Sequence, residues 1–345
     1  MAARFIPRSS FPYDRVINWF PGHMAKGLRL ISERLNGVDL VVEVRDARIP
    51  LSSVNPNFEK VVGKKPRLIV YNKYDLADPN TKQPVQKALT ELNQPVLFTS
   101  CQTDKDIRAI LRHAASLAQP IPQVTLMIVG MPNVGKSSLI NALRRVGVGK
   151  GKAAATGNQP GVTRNVVGTI KVKEHPAVYL IDTPGVMVPH IGDPIRSLKV
   201  AVTGGIRDHL ADEQVMADYL LYELNRRHAY DIYTSYFNMP EPTNDINVLL
   251  EAVAKRIGAV VKGGELDFTL ASKFFLKQYR EGKFGRFTLD DLNQESLQAA
   301  FDKSQTPNLQ PSRRQIKKLA KLQQRKEERM KNASSSTSSS EPSPL

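Results

Sequence analysis

Short apolar runs alternate with helical patterns over the first half of the chain. Apolar runs predict buried strands at residues 39–44, 67–71, 96–99 and 126–129, and two further strands at 166–172 and 178–181. Apolar residues at helical spacing predict helices over residues 23–36, 79–93 and 104–117, and another that starts near residue 138. Because strands that alternate with helices pair in parallel, we predict an α/β fold with a doubly wound, mostly parallel sheet.

The pattern changes near residue 190, where helical spacing replaces the strand runs. Helices are predicted over Asp212–Arg227, Ile246–Ile257 and Leu266–Glu281. They indicate a smaller helical C-terminal domain at 191–300, after a sheet domain at 17–190. Residues 301–345 form a basic and then Ser-rich tail, which the composition predicts to be disordered.

The net charge and the cysteine content indicate which partners and which kinds of cross-link are possible. The 345 residues carry a net charge of +16 and a single cysteine, Cys101. One cysteine excludes an internal disulfide, and no apolar run approaches the ~20 residues that span a bilayer. The charge favours an anionic partner, with RNA as the first candidate, although a basic surface that only keeps the protein soluble stays an alternative. Residues 1–16 carry three arginines and one acid, which is compatible with a mitochondrial targeting segment.

A phosphate-binding loop follows the strand at 126–129. Gly130, Gly135, Lys136 and Ser137 have the spacing G-x-x-x-x-G-K-S between a strand and a helix. The glycines let backbone N–H groups face phosphate oxygens, while Lys136 reaches the β- and γ-phosphates and Ser137 ligates Mg²⁺. The predicted nucleotide contacts also include Asn133, Val134 and Ser138. The alternative is a chance Gly-Lys-Ser turn.

A second motif, Asn-Lys-Tyr-Asp at 72–75, indicates which base is bound. The Asp75 carboxylate can accept hydrogen bonds from N1–H and N2–H₂ of guanine, whereas adenine offers its N1 lone pair. Asn72 is predicted to brace the pocket, and the Lys73 stem to lie along the purine or ribose. At the end of the next strand, a backbone N–H of Ser100 or Cys101 can reach guanine O6. The alternative is an ordinary turn at the end of a strand.

The order of the motifs along the chain is similar to that of a known protein family. The guanine motif precedes the phosphate loop, and D-T-P-G (182–185) comes last, which resembles the circularly permuted GTPases, typically ribosome-assembly factors. W-F-P-G-H-M-A-K (19–26), D-A-R-I-P (46–50) and P-G-V-T-R (160–164) are similar to ribosome-biogenesis GTPase A. D-H-L (208–210) and M-A-D-Y-L-L-Y (216–222) look closer still to an animal mitochondrial relative of that family. The resemblance covers about residues 17–260.

The resemblance implies further site residues and partners. Asp182 would hold the Mg²⁺ shell, Thr163 would complete Mg²⁺ coordination, and the Gly185 N–H would contact the γ-phosphate. GTP and GDP would be the nucleotides. The implied partner is the large subunit of the mitochondrial ribosome with its rRNA, in the mitochondrial matrix, and the role would include regulation of mitochondrial translation. Peripheral contact with the inner membrane is also implied.

The predicted hydrolytic machinery is unusual. Val186 stands where small GTPases carry the glutamine that orients water, so unaided turnover should be slow. Asn133 matches an asparagine that helps to hold K⁺ in potassium-dependent GTPases, and His23 matches the histidine proposed as catalytic in the bacterial family. A structural or RNA-contacting role for His23 stays open. So do two other functions: a GTP-binding RNA or ribosome scaffold with negligible hydrolysis, and a basic P-loop ATPase acting on RNA.

Overall fold

Six strands form one sheet in the computed structural model, which describes residues 5–15, 17, 29, 31–55, 61–63, 65–118, 123–149, 169–183 and 193–301. The strands are β1 (Leu40–Asp46), β2 (Arg67–Asn72), β3 (Val96–Phe98), β4 (Gln123–Gly130), β5 (Thr169–Lys173) and β6 (Ala177–Asp182). Their order is β3-β2-β1-β4-β6-β5. Every pair is parallel except β5 and β6, which are antiparallel at one edge. The predicted mostly parallel sheet is therefore confirmed.

The helices of the described residues fall into two groups. Besides helical residues at 29, 31–34 and 61–62, three helices belong to the sheet region: α1 (Lys82–Glu91), α2 (Asp104–Ser116) and α3 (Lys136–Val148). The remaining helices follow the last strand: α4 (Pro194–Val202), α5 (Glu213–Arg226), α6 (Tyr230–Phe237), α7 (Ile246–Ile257), α8 (Phe268–Arg280) and α9 (Gln294–Phe301). Four of the second group start after an aspartate whose carboxylate accepts a backbone N–H of the first turn: Asp193, Asp212, Asp245 and Asp267. Such caps stabilise a helix start by about 1 kcal/mol each.

The central strands explain the continuous apolar runs of the sequence. Every residue of β1 is buried, and Leu126 to Val129 of β4 are fully buried. Parallel strands covered by helices on both faces read in this way, because neither face meets water. The exceptions in β1 are paired charges, since Glu43 accepts from Arg45 at 2.7 Å and from Arg67 of β2 at 3.2 Å.

Several predicted elements need correction. Helices α4, α6 and α9 were not predicted, because they are only eight or nine residues long and too short for a clear helical period. Strand β4 starts at Gln123, three residues before the predicted start at residue 126. The helix expected over 79–93 begins as a 3-10 turn, Pro79–Thr81. Of the helix expected over 23–36, the described residues 29 and 31–34 are helical.

The N-terminal residues 5–15 pack on the helices that follow the sheet. Arg8 pairs with Asp218 of α5 at 2.6 Å, and the Phe11 ring meets those of Tyr219 and Tyr222 at 5.2 and 5.7 Å. A targeting role for residues 1–16 stays a prediction. So do the domain limits, because the boundary near 190 falls outside the described residues. Within the described part of the chain, no helix is both long and apolar enough to cross a bilayer.

Candidate nucleotide-binding site

The strand order brings the predicted nucleotide motifs to one edge of the sheet. Val44 of β1 lies opposite Gly130 of β4, and Asp46 lies opposite Asn72 of β2. On the other side of β4, Ile128 lies opposite Asp182 of β6. The carboxyl ends of these parallel strands therefore meet where the strand order reverses, which is where α/β sheets bind their ligands.

The glycines of the phosphate loop are required by its geometry. Gly130 has φ +153, and a Cβ there would lie 2.3 Å from the carbonyl oxygen of Val44. Gly135 has φ +93, and its Cβ would lie 2.2 Å from Nδ2 of Asn72. Any larger residue would push the loop away from the strands that it must touch. The loop thus depends on both neighbours, β1 and β2.

The residues after Gly135 open helix α3 at the same edge. Lys136 is buried, and its Nζ donates to the carbonyl of Met131 at 2.8 Å, across the loop. Ser137 is half-buried in the first helical turn, and Ser138 is exposed. The helix N-terminus and its backbone N–H groups give this place positive potential, which suits an anionic phosphate.

The loop at 72–75 is tied directly to the phosphate loop. Asn72 Nδ2 donates to the carbonyl of Val134 at 2.9 Å, and its Oδ1 accepts from Thr99 and from the Cys101 thiol. Lys73 takes the left-handed conformation, φ +59, and its Nζ donates to the carbonyl of Asn133. The structure therefore brings Asn72 and Lys73 together with Asn133 and Val134, which lie about 60 residues away in the chain.

The other residues predicted to contact the base, Asp75, Ser100 and Cys101, differ in exposure and in hydrogen bonding. Asp75 is exposed in the 3-10 turn Tyr74–Leu76, so its carboxylate is accessible. The Ser100 N–H donates to Asp106 at 3.2 Å and is used within its own loop. The sequence did not distinguish the backbone N–H groups of Ser100 and Cys101 as donors to guanine O6. Because the Ser100 N–H already has an acceptor, the Cys101 N–H is the better candidate. Burial raises the pKa of the Cys101 thiol to about 11, so the group is neutral at physiological pH.

A segment with no sequence signal packs behind the loop at 72–75 and the residues that follow it, which we call the base loop. The Phe287 N–H donates to the carbonyl of Leu76 at 2.8 Å, and Arg286 donates to the carbonyls of Ala77 and Tyr74 at 2.8 and 2.9 Å. Asp290 accepts the N–H groups of residues 51 and 52. We call residues 282–291 the C-terminal strap. It has no apolar period, so no local signal could have found it.

The C-terminal helices also contact the phosphate loop. Asn133 Nδ2 donates to the carbonyl of Gly204, just after α4, at 2.8 Å. Arg280 of α8 holds the end of α4 through the carbonyls of Ala201 and Val202, both at 2.9 Å or less, and pairs with Asp208. The side chain predicted to hold K⁺ is therefore oriented by the helical region through its amide N–H₂.

Two positions at this edge of the sheet carry residue types that bind Mg²⁺. The Ser137 hydroxyl is in the first turn of α3, and Asp182 ends the strand beside β4. Hydroxyl and carboxylate oxygens are what Mg²⁺ prefers. The described residues include no group of three or more His, Cys, Asp or Glu that could hold a metal by itself. His23, Thr163 and Gly185 lie outside the described residues, and their predicted roles stay predictions.

The fold and this site define a circularly permuted P-loop GTPase. The base loop precedes the phosphate loop in the chain, while the strand order and the contacts between the two loops join them in space. The family described as 50S ribosome-binding GTPase matches residues 125–252. The GNP-bound structure of YlqF from T. maritima aligns with a TM-score of 0.55 at 24% identity, over 78% of this chain and 99% of that one, and so supports the fold.

Curated relatives identify the family more narrowly. The chain is 39% identical to mitochondrial ribosome-associated GTPase 1 of Xenopus tropicalis over 315 residues, 84% of this chain and 100% of the relative. It is 41% identical to the protein of the same name from Mus musculus, over 84% of this chain and 95% of that one. Ribosome biogenesis GTPase A of Priestia megaterium is 37% identical, with 80% and 96% covered. The chain belongs to the mitochondrial ribosome-associated GTPase 1 family, and the resemblance seen in the sequence is confirmed.

Proposed function

We propose that the protein binds and hydrolyses GTP as an assembly factor for the large subunit of the mitochondrial ribosome, and that the subunit and K⁺ stimulate hydrolysis. The observation that supports GTP binding is a pair of hydrogen bonds between the two loops. Asn72 and Lys73 donate to the phosphate-loop carbonyls of Val134 and Asn133, respectively. These hydrogen bonds fix the base-binding loop relative to the phosphate loop, so one nucleotide would contact both loops at once.

Guanine recognition rests on Asp75, whose exposed carboxylate would accept N1–H and N2–H₂. The Cys101 N–H would meet O6. A bound Mg²⁺, held by Ser137, Thr163 and Asp182, would neutralise charge on the β- and γ-phosphates. Lys136 would then move its ammonium from the Met131 carbonyl to the phosphate oxygens.

Slow unaided turnover follows from the sequence at the D-T-P-G motif. Val186 offers no hydrogen bond to a water molecule. Asn133, held by Gly204 through its N–H₂ group, would place its Oδ1 toward a K⁺ ion beside the phosphates. His23 would orient the attacking water once the ribosomal subunit is bound. Hydrolysis would then be coupled to docking on the subunit.

The proposed partner and compartment rest on the relatives and on charge. Relatives in vertebrates are named for association with the mitochondrial ribosome. The net charge of +16, with nine Lys or Arg among residues 312–331, suits rRNA, because phosphate neutralisation gives affinity independent of sequence. We place the protein in the mitochondrial matrix, where contact with the inner membrane would be peripheral.

The first experiment measures GTP turnover by the purified protein with and without mitochondrial large subunits, in K⁺ and in Na⁺ buffer. Turnover that is low alone and rises with large subunits only in K⁺ supports the proposal. Small subunits serve as the matched control, and Lys136→Ala gives the background rate. Tight GTP binding with no rise under any condition would favour the scaffold, whereas equal competition by ATP would favour the ATPase.

His23 is tested in the stimulated reaction. His23→Ala should lower subunit-stimulated turnover at least about tenfold while leaving GTP affinity unchanged. His113→Ala, on helix α2 away from the site, is the matched control. Unchanged stimulated turnover in His23→Ala would remove His23 from the mechanism.

A further inference from the structure

A buried carboxylate stands between the phosphate loop and the base loop. Asp46 is the last residue of β1, the strand between β2 and β4, and it is 2% exposed. Its Oδ2 lies 3.1 Å from Nζ of Lys73. The same ammonium donates to the carbonyl of Asn133 in the phosphate loop. Lys73 therefore bridges a carboxylate of β1 and the backbone of the phosphate loop.

The lysine depends on this partner for its position. Five single bonds separate Nζ from the Cα of Lys73, so the ammonium needs fixed acceptors to stay in one place. Desolvation lowers the pKa of Lys73, and the negative charge of Asp46 opposes this effect. Without the carboxylate, both the place and the charge of the ammonium would rest on one neutral carbonyl oxygen. The Asp46 carboxylate thus supplies the counter-charge that a partly buried ammonium requires.

The Asp46 carboxylate is also bound by Arg48. The Arg48 backbone N–H and Nε both donate to Oδ1 at 3.0 Å, and its Nη2 donates to Oδ2 at 2.8 Å. Arg48 also reaches the carbonyl of Thr203 at 3.4 Å and stacks its guanidinium over Tyr279 at 5.5 Å. Since Thr203 follows α4 and Tyr279 lies in α8, the carboxylate is oriented by the helical region of the protein.

We propose that Asp46 is a positioning residue for guanine-nucleotide binding, and that it acts by fixing the Lys73 ammonium against the phosphate loop. It touches no nucleotide itself. Its role is to set the distance between the base-binding and phosphate-binding loops. Because Arg48 links it to the helical region, a movement of α4 or α8 would reach the nucleotide through this carboxylate.

The test is a double-mutant cycle on nucleotide affinity, read with N-methylanthraniloyl-GDP and the corresponding GTP analogue. Asp46→Asn should weaken both nucleotides about tenfold, the effect of one charge-assisted hydrogen bond. In a Lys73→Met background the same substitution should cause no further loss. Asp39→Asn, at the opposite end of β1, where the carboxylate accepts the N–H of Thr125 at 2.8 Å, is the matched control and should bind as the parent does.

A merely structural role would give a different outcome. An equal loss from Asp46→Asn in the parent and in Lys73→Met would overturn the proposal, as would unchanged affinity in Asp46→Asn. A cycle with Arg48→Met separates the two partners, because loss of the Asp46 effect only in that background would assign it to Arg48 instead. If Asp46→Asn does not fold, the double variant Asp46→Asn/Lys73→Met is compared with Lys73→Met. The proposal then requires Lys73→Met to bind about tenfold more weakly than the parent and the double variant to equal it. Parent-like affinity in Lys73→Met, or a further tenfold loss in the double variant, refutes it.

Discussion

Asp290 offers the sharpest stability test of how the C-terminal strap is joined to the sheet region. Its carboxylate is 4% exposed. It accepts the N–H groups of Leu51 and Ser52 at 2.8 Å and the Ser52 hydroxyl at 2.6 Å, and it pairs with Lys199 at 3.2 Å. One side chain therefore satisfies three donors of the loop after β1 and one cation of α4. Asp290→Ala would leave all of them without this acceptor.

The magnitude follows from the donors that lose their partner. Each buried donor left unsatisfied costs about 1–3 kcal/mol, and partial hydration of the loop offsets part of the total. We expect Asp290→Ala to lower the free energy of unfolding by about 3–5 kcal/mol. Asp290→Asn keeps one acceptor oxygen and should lose about 1–2 kcal/mol.

The neighbouring Asp291 provides the matched control. Its side chain is 48% exposed and pairs with Arg226 and Arg227 at 3.1 and 3.2 Å. Exposed ion pairs contribute about 0–1 kcal/mol, so Asp291→Ala should change stability little. Urea unfolding followed by circular dichroism measures all three variants. If Asp290→Ala and Asp291→Ala lay within about 1 kcal/mol of each other, the strap would not be held as the contacts indicate.

Three further predictions use single positions. The Cys101 thiol, with its pKa raised to about 11, should react with iodoacetamide at pH 8 about a hundredfold more slowly than a free cysteine, and about tenfold faster for each added pH unit up to 10. A rate at pH 8 equal to that of free cysteine would contradict this, and the single cysteine makes the readout unambiguous. Gly282→Ala would place a Cβ 2.6 Å from Leu76 Cδ2, whereas Gly285→Ala, at a similar positive φ, meets nothing within 4 Å. Thermal unfolding should show Gly282→Ala to be less stable than Gly285→Ala by about 1 kcal/mol, because the Leu76 side chain must leave its rotamer to make room, and a Gly285→Ala variant that is the less stable of the two would contradict this contact. Arg48 and Lys73 hold the pKa of Asp46 far below its usual range, so this carboxylate stabilises the fold fully above about pH 4 and less as the pH falls further. The stability difference between the parent and Asp46→Asn should therefore shrink below pH 4 in urea titrations, and a constant difference would refute the assignment.

Local pattern was enough to predict the sheet and the two nucleotide loops. The runs at 39–44 and 126–129 became the buried central strands β1 and β4, because strands covered on both faces must be apolar along their length. Gly135, Lys136, Asn72 and Asp75 could be predicted as site residues because each motif requires its residue types within a few positions, next to a strand end. The order of the motifs then indicated the permutation, which the strand order confirms.

The tertiary structure alone decided how these loops are held. Asp46 meets Lys73 across 27 positions, Lys73 meets Asn133 across 60, and Asp290 meets Ser52 across 238. Such contacts leave no period in the sequence, because their partners are brought together by strand order and helix packing and not by local geometry. The C-terminal strap shows this most clearly, since it has no helical or strand pattern and satisfies backbone groups that lie about 210 residues earlier. Sequence therefore determined which residues are candidates for binding a guanine nucleotide, and the fold determined which buried charges and backbone groups hold them in place.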